Sequence, residues 1–133
     1  MERDYLAWAR EVFAEDTYAT QTTGIVIEDV AFEYAKCSLV LEKKHKNAND
    51  TVMGGAIYTL VDVTFAIAAN SLQMPTVTLG ANIEYLSAAP CTGKLTAEAR
   101  CIKSGKNICR FEINVYHNES KLIASARMNG YRK

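Results

Sequence analysis

Between Asp50 and Glu84 the chain carries a single acidic or basic side chain, Asp62. The segment around it, GGAIYTLVDVTFAIAANS, starts at Gly54, consists of helix formers that are apolar on nearly every face, and ends at Asn70-Ser71 ahead of Pro75. A helix of that kind has to be enclosed by other structure. It is a poor membrane span, because the longest apolar stretch, Val52 to Ala69, is interrupted by two glycines, Tyr58, Asp62 and two threonines. A soluble fold in which sheet wraps one helix meets the requirement, and the rest of the chain must supply that sheet.

The rest reads accordingly. Tyr5, Leu6, Ala9, Val12 and Phe13 recur at helical spacing, which predicts a short amphipathic helix over residues 3–15 with Tyr5, Trp8 and Phe13 as packing groups. Gly24 to Lys43 is rich in β-branched and aromatic residues and polar near Glu28-Asp29, which predicts two strands divided there. A charged loop, KKHKNANDT, leads to the long helix. After Pro75 the period becomes two, with Val77, Leu79, Ala81, Ile83 and Tyr85 on one face. Three more strands are expected: Lys94–Lys103, Asn107–His117, and Lys121–Tyr131 with Leu122, Ala124, Ala126 and Met128 inward. Short turns at Ser104-Gly105-Lys106 and Asn118-Glu119-Ser120 make them antiparallel hairpins. The fold class is α+β: a short N-terminal helix, two strands, one long central helix and four strands, in a single domain over residues 1–133.

The 15 basic and 15 acidic residues cancel, which argues against a partner held by overall field, such as nucleic acid or an anionic membrane. The four cysteines, at 37, 91, 101 and 109, are dispersed and read as free thiols in small apolar sites. No zinc spacing, P-loop, dinucleotide fingerprint or G-x-S-x-G occurs, so neither metal nor cofactor is expected. The N-terminus lacks a leader pattern, which places the chain in a reducing cytoplasm. His45 and His117 stand in polar loop contexts and are expected at the surface.

Asp62 is the candidate functional carboxylate, because an unpaired charge in apolar surroundings is costly and is removed by selection unless it is used. Met53-Gly54-Gly55 opens the same helix, where unpaired backbone N–H groups and the positive end of the dipole can hold a developing oxyanion. Eight residues separate Gly54 from Asp62, about 12 Å along a helix axis, too far for both to meet one reacting carbon. If both act in one reaction, Asp62 meets the Gly54 amide of another subunit, and a two-fold dimer follows.

The run N-A-N-D-T-V-M-G-G-A-I-Y-T-L-V-D-V-T-F-A, followed by T-L-G-A-N-I-E-Y-L-S-A-A-P and K-S-G-K, resembles the hotdog-fold acyl-CoA thioesterases of the phenylacetate-degradation (PaaI-like) type over residues 20–133. The resemblance implies a curved antiparallel sheet of about six strands around the central helix. It further implies Asp62 as general base or nucleophile, Gly54 N–H as oxyanion donor, Asn47 as a group orienting thioester or water, and Thr78 as a positioner of the attacking water. Coenzyme A would lie at the basic turn Lys103-Ser104-Gly105-Lys106-Asn107, with Arg127 and Tyr131 in reach of the nucleotide and the edge at Tyr85, Ser87 and Pro90 along the pantetheine path. Gly55 completes the Gly-Gly pair, and Tyr58 and Phe65 line an acyl pocket between subunits. The assembly implied is a homodimer with composite sites, paired into a dimer of dimers.

Met53 departs from the family pattern, standing where histidine usually precedes the two glycines. A thioether cannot donate the hydrogen bond an imidazole would. Acyl-CoA hydrolysis is therefore the leading reading, with a non-catalytic or weakly active acyl-CoA binder as the alternative. A thioester dehydratase would need a histidine on or near the central helix, and the chain offers none there.

Overall fold

The computed structural model describes residues 4–133. Helix α1 spans Tyr5–Phe13, shorter at both ends than the apolar spacing suggests; residue 3 lies outside the described residues. Asp4 starts it by accepting the Ala7 N–H at 3.0 Å. Ala9 and Phe13 are buried, Trp8 stands edge-on to Phe13, and Arg10 donates to the Ile27 carbonyl at 2.8 Å, which docks the helix on the first strand. A six-residue π-helical turn, Tyr18–Thr23, follows and ends at Gly24 in the left-handed region (φ 94°). Sequence periodicity gives no hint of it.

Strands β1 (Val26–Ala31), β2 (Tyr34–Val40), β3 (Thr76–Tyr85), β4 (Lys94–Ser104), β5 (Ile108–His117) and β6 (Lys121–Arg132) form one antiparallel sheet in the order β1-β2-β4-β5-β6-β3. Helix α2 (Gly54–Ala69) lies in the concavity, against β2, β4 and β5 above all. Leu60, Val61, Phe65 and Ile67 are fully buried, and Phe65 meets Phe111 edge-on at 5.6 Å between centroids. The β6 backbone comes close enough that a Cβ on Gly130 would sit 2.9 Å from Cys109 Sγ and 3.1 Å from Phe65 Cζ. Only glycine lets helix and sheet approach so closely there.

Several expectations are corrected. Glu28-Asp29 does not divide the first two strands: the turn is Phe32-Glu33, and the polar pair sits at a register shift within β1. A second shift, between Thr78 and Gly80, makes Leu79 the extra residue of a bulge, so Val77 faces outward opposite Tyr131 whereas Ala81, Ile83 and Tyr85 face the helix side. In β6 a shift near Tyr116 leaves Leu122 outward and buries Ile123 and Ala124 together. Helix α2 is not buried all round: Gly55, Tyr58 and Asp62 are exposed and Thr59 and Ala66 half-buried, forming one open stripe. Among the described residues no helix is long and apolar enough to cross a membrane. All four cysteines are free; Cys37 and Cys109 are buried as expected, and Cys91 and Cys101 only half so.

Candidate active site

The start of α2 is an uncapped helix N-terminus. Met53 occupies the cap position in extended conformation and its side chain makes no capping bond. Its carbonyl accepts the Ala56 and Ile57 N–H groups at 3.0 and 3.3 Å, while the Gly54 and Gly55 N–H groups have no acceptor among the described residues. Two donors at the positive end of a sixteen-residue helix are thus available to an incoming oxyanion. The Tyr85 ring covers this turn from the end of β3, its hydroxyl donating to the Gly54 carbonyl at 3.3 Å. Gly54, Tyr85 and Ser87 line one groove of about 310 Å³ with Val52, Ile57 and Leu86. Pro90 stands beside it, bridged to Thr51.

On the opposite side of the same helix start, Met53 and Gly55 line a second groove with Tyr18, Thr23, Lys44 and His45. His45 corrects an expectation, because it is buried (4% exposed) rather than at the surface. Its Nδ1 accepts the Glu42 N–H at 2.9 Å, so Nε2 carries the proton and donates to the Thr23 carbonyl at 2.8 Å. Its own carbonyl accepts the Met53 N–H at 2.8 Å. One buried imidazole therefore ties the π-helical turn, the charged loop and the start of α2 together. His117 is half-buried, its Nε2 2.8 Å from the Thr92 carbonyl.

Asp62 lies two turns further on, in the open stripe, in a groove with Asp16, Thr17, Tyr18, Thr59 and Val63. Although the residue is accessible, the protein crowds its carboxylate enough to raise its pKa above the usual 3.8, and the Asp16 carboxylate adds to the effect. Gly54 and Asp62 line separate grooves of this chain. Thr78 faces the helix side of β3, seven residues from Tyr85, about 23 Å along a strand. It too is far from the Gly54 groove within one chain.

Asn47 is engaged with its own loop. Its Oδ1 accepts the Asn49 and Thr51 N–H groups at 2.9 and 3.1 Å, and its Nδ2 donates to Thr51 Oγ1 at 2.8 Å. That leaves one Nδ2 hydrogen beyond the bonds formed. Tyr58 sits on the open stripe, as an acyl-lining residue would. Phe65 does not: it is 1% exposed and belongs to the core, because its place on α2 points into the sheet.

At the β4–β5 turn, Lys103, Gly105, Lys106 and Asn107 line a groove of about 540 Å³ together with Arg110 and Asn129. Arg110 escaped the sequence reading, although its outward alternation with Cys109 and Phe111 held the signal; it pairs with Lys103 across the hairpin and with Asn129 on β6, forming a row. Arg127 stands apart, its Nη2 2.7 Å from the Glu112 carboxylate on the outer face. Tyr131 is exposed on that face, paired with Ile108. Ser104 does not face the groove, since its Oγ accepts from buried Arg132 at 2.9 Å. Among the described residues no three His, Cys, Asp or Glu side chains are grouped to hold a metal ion.

Comparison with known proteins places this arrangement. The thioesterase superfamily model matches residues 49–124, more than half of the chain. A protein of Archaeoglobus fulgidus whose name carries the word esterase is 36% identical over 99 residues, 74% of this chain and 64% of its own length, so the chain spans somewhat less than two thirds of that relative. The acyl-coenzyme A thioesterase PaaI of Escherichia coli is 26% identical over 128 residues, covering 95% of this chain and 91% of that one. The solved structure of E. coli PaaI superposes with a TM-score of 0.90 at 22% identity over 97% of this chain and 94% of its own, which shows the hotdog fold. A thioesterase-type protein of Streptococcus pneumoniae, solved with coenzyme A, superposes with a TM-score of 0.83 at 20% identity over 91% and 96% of the two chains.

Proposed function

Because the chain belongs to the thioesterase superfamily, we propose that it hydrolyses acyl-coenzyme A thioesters to the free acid and the thiol. The observation that carries the reading is the pair of unspent N–H donors at Gly54 and Gly55, opening the helix whose one carboxylate is Asp62. The carbonyl oxygen sits at the Gly54 N–H, which stabilises the oxyanion as the carbonyl carbon becomes tetrahedral. Asp62, as base, takes a proton from the attacking water and the tetrahedral intermediate collapses with cleavage of the C–S bond; or, as nucleophile, it attacks first, the C–S bond breaks to leave a mixed anhydride, and water then hydrolyses the anhydride and frees the carboxylate. Either way the departing thiolate collects a proton. A thioester suits so small an apparatus, because its carbonyl is weakly resonance-stabilised and its thiolate leaves readily. The raised pKa of Asp62 moves it toward the range useful for base catalysis.

The reaction takes two copies of the chain, each offering its Gly54 to the other's Asp62. Strand β3 supports this: among the described residues it pairs only with β6, so it lies at the sheet edge, and it exposes Val77, Leu79 and Tyr85. An exposed apolar edge is a template for a second strand. The coenzyme's phosphates lie along Lys103, Lys106 and Arg110, where ammonium, guanidinium and turn amides converge, and its pantetheine arm follows the Tyr85–Ser87 groove. Such dimers pair into a homotetramer, and the chain works in the cytoplasm.

A second reading, an acyl-CoA binder without turnover, draws on Met53, which is exposed at the helix start and whose thioether side chain has no hydrogen to donate. Thiol release from a panel of aliphatic and aryl acyl-CoAs separates the two. Turnover that disappears in Asp62→Ala supports the enzyme. Binding without turnover in the wild type leaves the binder.

A further inference from the structure

We propose that Arg132 and Glu33 are positioning residues for coenzyme A: a buried ion pair that presents the Ser104–Asn107 turn to the phosphates. The inference rests on the acyl-CoA reading above and concerns residues outside the groove itself.

Arg132 is the penultimate residue of the chain, yet it is only 4% exposed. Three of its donor groups reach one turn. Nη1 donates to the Gly105 carbonyl, Nη2 to Ser104 Oγ at 2.9 Å, and its backbone N–H to the Asn107 carbonyl at 2.7 Å. The turn's carbonyls at positions 105 and 107 are thereby drawn inward. In a trans peptide the C=O and the following N–H point in opposite directions, so turning the Gly105 carbonyl toward Arg132 aims the Lys106 N–H outward. That N–H has no acceptor among the described residues. The outer side of the turn consequently offers an amide beside Lys103, Lys106 and Arg110, with the carbonyl dipoles that would repel phosphate turned away. The turn has no slack, since a Cβ at Gly105 would meet the Ile108 carbonyl at 2.7 Å.

The same Nη2 also faces Glu33, at 3.4 Å from its carboxylate, which is itself largely buried. Glu33 has a left-handed backbone (φ 54°), in a two-residue hairpin turn where glycine or asparagine would be accommodated at lower cost. Its N–H donates to Ser71 Oγ at 2.7 Å, just past the end of α2. A connected path thus runs from the end of the central helix through Glu33 and Arg132 to the turn. As a stability device it is poor: a buried ion pair roughly balances its own desolvation, and the Arg132 Nε–H has no partner among the described residues. Holding the turn in its anion-receiving geometry accounts for both residues.

The test compares an acyl-CoA with the N-acetylcysteamine thioester of the same acyl group, in the wild type, Arg132→Gln, Arg132→Lys and Glu33→Gln, with direct titration of coenzyme A against pantetheine. The expected result for Arg132→Gln is a KM for acyl-CoA raised about 10- to 100-fold at retained kcat, the loss of one charged hydrogen-bond set. Kinetics on the short thioester stay at wild-type values, coenzyme A binding weakens while pantetheine binding does not, and Arg132→Lys recovers part of the loss. Glu33→Gln, which keeps an acceptor beside the guanidinium, covers the case in which Arg132→Gln does not fold and shows the same split in smaller degree. Parallel losses on both thioesters, or no change on either, overturn the proposal. If the wild type hydrolyses neither thioester but Arg132→Gln still weakens coenzyme A binding and not pantetheine binding, the hydrolase reading falls while the positioning role stands.

Discussion

Replacing Gly54 by proline removes one hydrogen-bond donor from the proposed oxyanion site and little else. Gly54 is the first helical residue of α2, where proline is at home because its missing N–H is one that the helix leaves unpaired. The preceding residue, Met53, already has φ −61° and ψ 131°, the extended geometry that a following proline requires. A Cβ at position 54 would stand 3.6 Å from the Tyr85 ring, ordinary van der Waals contact. The folded protein should therefore keep its structure and gain about 0.4–1 kcal/mol from the stiffer unfolded chain, a rise in Tm of about 1–5 °C. Turnover should fall about 100- to 1000-fold, the loss of about 3–4 kcal/mol of transition-state stabilisation that one oxyanion donor supplies. Gly54→Ala is the control, since it adds the Cβ and keeps the N–H, and should hydrolyse acyl-CoA at a rate comparable to wild type. The assay is thiol release under saturating acyl-CoA, with thermal melts alongside. A folded Gly54→Pro enzyme of undiminished kcat refutes the oxyanion assignment. Equal losses in the alanine and proline variants would trace the effect to the Tyr85 contact instead of the amide.

Two further outcomes follow from the same geometry. The pKa of Asp62 is raised in the folded chain, so the native state holds that proton more tightly than the unfolded state, and stability falls as pH rises from 3.8 to the raised value. Asp62→Asn should then melt higher than wild type at neutral pH, with the difference vanishing below 3.8, while hydrolysis is lost; a lower melting point at neutral pH would contradict the burial argument. Leu79→Lys places a charge on the exposed bulge of the β3 edge and should shift sedimentation toward monomer with loss of turnover, whereas a fully active monomer would show that one chain holds a complete site.

Helix α2, the six strands and the two motifs on α2 were legible in the chain because each depends on local pattern: a long run with one charge, alternation at period two, and a Gly-Gly helix start. The family's fold followed from the same residues. What the string could not convey is set by pairing. Leu79 continues a perfect alternation on paper, yet the register between β3 and β6 makes it a bulge and reverses the facing of Val77. Phe65 and Tyr58 look equally suited to a ligand pocket and, seven residues apart, lie on nearly the same side of α2, but Phe65 packs edge-on against Phe111 in the core whereas Tyr58 stays on the open stripe, a difference set by what the sheet places opposite each turn.

Local pattern alone was enough for the long central helix, the solitary carboxylate, the free amides at the helix start and the basic hairpin, since each is a property of neighbouring residues. Only the tertiary structure decided that His45 is buried between the Thr23 carbonyl and the Glu42 amide, that Arg110 joins Lys103, and that Arg132 reaches back to Glu33, 99 positions earlier. A polar side chain is buried or exposed according to the partners that fold to meet it, and those partners lie on other strands and loops, beyond any local pattern.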